Sequence, residues 1–151
     1  MKLAEALILR ADCQKRFAQL KSRLIANAKV QEGDQPAETP LELIAGLERT
    51  ATELGDLIKR INRTNSATAF AGDRTISDVL AERDVLGLRR TAFSEVALNG
   101  SLRQDRYSRS EVKYVSTVSV AEIQKRADEL AREYRELDAR IQELNWLTEL
   151  V

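Results

Sequence analysis

The sequence predicts an all-α protein, a bundle of long antiparallel helices with coiled-coil character and one short extended segment near 112–118. Three observations predict it. In the last stretch, Val120, Ile123, Ala127, Leu130, Tyr134, Leu137, Ile141 and Leu144 recur in alternating steps of three and four, with Thr148 next in line. That 3.5-residue period belongs to a helix lying along other helices. Helix starts are also marked, by Ser119 with Glu122 three residues on, and by Thr39-Pro40-Leu41-Glu42. Finally, charged residues make up 32% of the chain and aromatics 5%, which favours helices stacked along stripes over an aromatic-rich core.

Taken in order, the first helix spans about 2–30. Leu3, Leu7, Arg10, Cys13, Phe17, Leu20 and Leu24 share one face, and neither Gly nor Pro interrupts it. Basic residues outnumber acidic ones, seven to two. Residues 31–38 hold Gly33 and Pro36 among polar residues and read as a surface loop.

A second helix, about 40–68, opens at Thr39-Pro40. Its stripe is Leu43, Leu47, Thr50, Leu54, Leu57, Ile61 and Thr64. Its charges run from acidic (Glu42, Glu48, Glu53, Asp56) to basic (Lys59, Arg60, Arg63), as the helix dipole prefers. In an antiparallel hairpin, the basic second half of helix one lies beside the acidic first half of helix two.

Residues 69–74 read as a turn around Gly72-Asp73. Thr75 then caps a third helix, about 76–98, whose stripe Arg83 and Arg90 interrupt; Asn99-Gly100 stops it. Residues 101–118 form a loop and then, from Val112, a run of Val, Tyr, Ser and Thr with strand character. Such a segment is expected to pair with a short strand or its symmetry mate. The fourth helix covers about 120–148. All four helices form a single domain spanning 1–151, with neither a repeat nor a low-complexity stretch.

Composition narrows the function. Twenty-four basic and 24 acidic residues balance, against a general nucleic-acid or anionic-membrane binder. The chain has no histidine and one cysteine, which removes histidine-based catalysis, disulfides and Cys/His metal sites. P-loop, dinucleotide and Glu-x-x-His motifs are absent, so no cofactor or metal is expected. Without a signal peptide or a membrane-length apolar run, the cytoplasm is the expected location.

Several clusters are candidate sites. Arg103, Arg106, Tyr107, Arg109, Lys113 and Tyr114 interleave basic and aromatic residues in a loop and could hold an anionic ligand; a solvated loop docked on the bundle is the alternative. Asn62, Arg63 and Asn65 either line a polar pocket or cap the helix end. Glu82 and Arg83, with Arg10 across the bundle, form an anion site or a structural ion-pair network. Tyr134, Ile141, Leu144, Trp146, Leu147 and Leu150 are the expected subunit contact, because Trp146 falls at an outward heptad position beside Leu147 and Leu150; the alternative is a helix end that turns inward and covers its own core.

Five strings carry a family resemblance: Leu-Ile-Leu-Arg-Ala-Asp at 7–12, Ile-Asn-Arg-Thr-Asn at 61–65, Leu-Ala-Glu-Arg-Asp at 80–84, Arg-Tyr-Ser-Arg-Ser-Glu-Val-Lys-Tyr-Val at 106–115, and Ile-Gln-Glu-Leu-Asn-Trp at 141–146. On them the chain resembles, nearly end to end, the bacterial septicolysin-like family of small helical proteins. Cys13 stands where that resemblance implies an aliphatic residue, and the family name implies membrane activity. The residues themselves lead to a non-enzymatic cytoplasmic scaffold, a homo-oligomer of at least two chains. An anionic-ligand module at 103–114 is the alternative.

Overall fold

The structure, a computed structural model, describes residues 1–101 and 112–151. Four helices carry these residues: α1 (Leu3–Ala26), α2 (Pro40–Ala67), α3 (Ile76–Gly100) and α4 (Val120–Leu147). A two-stranded antiparallel hairpin, β1 (Ala69–Ala71) and β2 (Arg74–Thr75), joins α2 to α3. The fold is all-α, as the periodicity predicts. It divides into two compact units, one of Met1–Ile76 with Glu143–Val151, the other of Ser77–Gln142.

The first unit is built on the α1–α2 hairpin. Leu3, Ala6 and Cys13 of α1 are buried, with Leu7, Arg10, Phe17, Leu20 and Leu24 half-buried along the same face. Facing them, α2 buries Leu43, Thr50, Leu57, Ile61 and Thr64. A buried threonine needs its hydroxyl satisfied. Thr50 Oγ1 donates to the Gly46 carbonyl at 2.9 Å and Thr64 Oγ1 to the Arg60 carbonyl at 2.9 Å, so neither interrupts the stripe. The helices run antiparallel, as the Arg16–Glu53 pair (3.1 Å) and the Arg23–Glu38 pair show.

Both chain ends lie in this unit. Leu3 N donates to the Thr148 carbonyl and Leu150 N to the Met1 carbonyl, each at 2.9 Å, forming an antiparallel bridge between Lys2 and Glu149. Val151 N donates to Thr64 Oγ1 at 3.0 Å.

The helix expected to reach residue 30 ends at Ala26. Asn27 ends it: its side-chain amide donates to the Arg23 carbonyl at 2.9 Å, and its Oδ1 accepts from Glu38 N at 3.0 Å. Thr39 stands at the N-cap of α2 with extended backbone and Pro40 behind it, though its hydroxyl makes no capping bond. The stretch read as a turn at 69–74 holds the hairpin. Gly72 has φ +62°, the positive value at the first central position that a tight two-residue loop demands.

In the second unit, α3 and α4 pack antiparallel. Arg83 reaches Asp138, Gly87 faces the Tyr134 ring, and Gly100 lies against Val118 and Val120. Val79, Ala97, Ala127, Leu130 and Ile141 are buried. Ser119 Oγ accepts from Glu122 N at 3.4 Å and starts α4 as the sequence indicates. Residues 112–118 are not the paired strand expected of them: the segment is irregular and bends at Thr117 and Val118. The Ser116 hydroxyl binds the Val118 carbonyl at 2.9 Å, a local bond that competes with extended pairing.

Candidate functional site

Two surfaces stand out, one in each unit. The first is a groove of about 430 Å³ between α1 and α2. On α1, Arg16, Gln19, Leu20 and Arg23 follow the i, i+3, i+4, i+7 spacing of one helix face, and on α2 Gly46, Arg49, Thr50 and Glu53 do the same. Three guanidiniums and one carboxylate therefore line it. Glu53 holds Arg16, and Glu38 holds Arg23 through both its Nε and Nη2. That bidentate bond lowers the Glu38 pKa and raises that of Arg23. Among the described residues, Arg49 has no carboxylate partner. Gly46 keeps the floor low: a Cβ there would lie 3.5 Å from the Leu20 side chain and 3.9 Å from Arg49 Nη2.

Arg16 of the groove also touches Cys13, which is 1% exposed: its Nη2 donates to the sulfur at 3.7 Å. Burial and then the neighbouring Glu53 carboxylate push its thiol up, so it stays protonated at neutral pH.

The second surface is on α3. Ala81, Val85, Leu88, Ala92 and Val96 are all exposed, Leu88 to 71%. At about 100° per residue they fall within a stripe of roughly 80°. The stripe lies away from the face of buried Val79 and Ala97 and half-buried Leu86 and Phe93, so α3 is apolar on both sides. A shallow groove of about 540 Å³ runs along it past Ala81, Val85, Leu86 and Arg89, with Glu133 of α4 at its border.

The sequence-derived candidates are distributed as follows. Arg103, Arg106, Tyr107 and Arg109 lie outside the described residues. Lys113 and Tyr114 are exposed in the irregular segment. Arg10, Asn62, Arg63 and Asn65 belong to the first unit, with Asn62 and Arg63 in solvent, whereas Glu82 and Arg83 belong to the second. Arg83 binds Asp138 at 2.8 Å and Asp84 at 3.2 Å. Burial alone would lower its pKa, but these two carboxylates more than reverse that and raise it.

Among the interface candidates, Ile141 and Leu150 are buried within the chain, and Tyr134 and Leu144 are half-buried. Trp146 and Leu147 are 54% and 66% exposed. Among the described residues no three carboxylates or thiols gather as a metal ion would require, and no helix is long and apolar enough to cross a membrane.

The residues missed by sequence reasoning are Arg16, Gln19, Arg49 and Asp138, together with the exposed face of α3. A matching polar spacing at 16–23 and 46–53 was the available signal for the groove, but it acquires meaning only once the helices are in register.

The model of a family of unknown function, DUF6847, matches residues 10–150. The crystal structure of a functionally unknown conserved protein from Corynebacterium diphtheriae is similar to this chain, with 53% identity and a TM-score of 0.95 over 100% of this chain and 99% of that one. No curated protein matches. These matches overturn the septicolysin-like resemblance, for neither points to that family. Strings of charged and aliphatic helical residues such as 7–12 and 80–84 recur in many helices and do not identify one family.

Proposed function

We propose a non-enzymatic assembly role, as a homo-oligomer in the cytoplasm, for this chain, which belongs to DUF6847, the family of unknown function whose model it matches. The observation that supports the reading is the second apolar face of α3. A helix apolar on both sides is stable in water only when both are covered. The partner we assign to that face is a second copy, because the stripe is self-complementary. Turned antiparallel to itself about the point between Leu88 and Arg89, it sets Ala81 against Val96 and Val85 against Ala92, small against large at each level. Self-complementarity is what a two-fold interface needs. Glu82, Asp84, Arg89 and Glu95 flank the stripe with both signs of charge and give it a polar rim.

Exposed Trp146 and Leu147 add an apolar patch on the other unit, of the aromatic kind that concentrates binding energy. An enzymatic role has less to draw on. The chain holds no histidine, and its one thiol is buried and protonated.

Size-exclusion chromatography with light scattering at micromolar concentration is expected to give at least twice the 17.0 kDa chain mass. Leu88→Glu is expected to return a monomer whose circular dichroism keeps its helical signal. A wild-type chain eluting cleanly as a monomer overturns the reading.

A further inference from the structure

We propose that the α1–α2 groove binds a small phosphorylated organic anion, with Arg49 as its principal phosphate contact. This goes beyond the assembly role and involves other residues. The groove's volume, about 430 Å³, falls within the range of small-molecule sites. Glu53 offsets Arg16 and Glu38 offsets Arg23, so the positive charge left over at the groove is that of Arg49.

The arginines differ in what they are free to do. Arg16 and Arg23 are held in place by Glu53 and Glu38, which fixes their direction and reduces the ordering cost of binding. Arg49 has no carboxylate partner among the described residues and lies on the same lining. Its planar fork of N–H donors matches two phosphate oxygens at once, as a lysine ammonium does not.

The floor indicates the rest of the ligand. Gly46 and Leu20 present bare backbone and aliphatic surface, suited to a planar or apolar body. Packing does not require glycine at position 46, because a Cβ there would make only ordinary contacts, at 3.5 Å and beyond. The chain nevertheless forgoes about 1 kcal/mol of helix propensity at that position. Any larger side chain would fill the groove. A phosphate monoester of mononucleotide size fits both the charge and the space.

Isothermal calorimetry and thermal shift with AMP, adenosine, inorganic phosphate and pyrophosphate test the assignment. AMP is expected to bind saturably and raise the melting temperature, phosphate and pyrophosphate to bind more weakly, and adenosine not to bind. Binding should weaken as salt rises. Arg49→Gln, at an exposed position, is expected to reduce AMP affinity at least tenfold with an unchanged helical spectrum, and Gly46→Leu to abolish it. Arg49→Lys should recover part of the loss. The proposal is overturned if neither AMP nor pyrophosphate binds saturably, or if Arg49→Gln binds AMP as well as the wild type.

Discussion

Glu149 illustrates how one side chain can tie distant parts of a sequence. Lys2 Nζ reaches its carboxylate at 2.6 Å and the Met1 ammonium at 3.2 Å. The Lys2 hydrogen bond first, and then the ammonium, hold its pKa below the ordinary 4.5. A carboxylate lowered in this way binds its proton more readily unfolded than folded. It therefore stabilises the fold above pH 4.5 and loses that contribution as pH falls through the lower folded value. Glu149→Gln should flatten the acid side of the stability profile, measured by urea melts between neutral pH and about pH 3, while Glu38 keeps its own contribution. A variant profile that superimposes on the wild type would refute the linkage. Little of this was legible in the sequence, because Lys2 and Glu149 are 147 residues apart. Arg83 is intermediate: its ionic character was legible, but its partner Asp138 emerges only once α3 and α4 are in register.

At the scale of the element, periodicity did most of the predictive work. The stripes of α1, α2 and α4 point inward at the positions their spacing selects, because a helix one side of which must leave water records that demand every three or four residues. What failed was short or two-sided. Ala69-Phe70-Ala71 is too brief to show alternation, so the β1–β2 hairpin read as a turn. For α3, the spacing predicts a single apolar face where two exist. Glycines within helices give an element-level test. Nothing lies within 4 Å of where a Cβ at Gly55 would stand, so Gly55→Ala should stabilise the protein by about 0.5–1 kcal/mol through helix propensity and lost unfolded-state freedom. A rise in melting temperature checks it; a fall would mean that α2 needs flexibility there.

For the whole molecule, the all-α class was legible and the working surfaces were not. The α1–α2 groove arises from the juxtaposition of 16–23 with 46–53, and no single stretch announces it. Of the loop at 103–114, favoured by composition, residues 103–111 lie outside the described residues. Charge patterning did foreshadow the α1–α2 pairing, since the basic half of one helix meets the acidic half of the other in Arg16–Glu53. The backbone bridge between residues 1–3 and 148–150 has an engineering consequence. Ends lying side by side can be spliced by a short glycine-serine linker and new ends opened at the solvent-facing 33–34 bond. Such a circular permutant should keep the helical spectrum and cooperative melt of the parent, for residues 1–3 and 148–150 already share backbone hydrogen bonds.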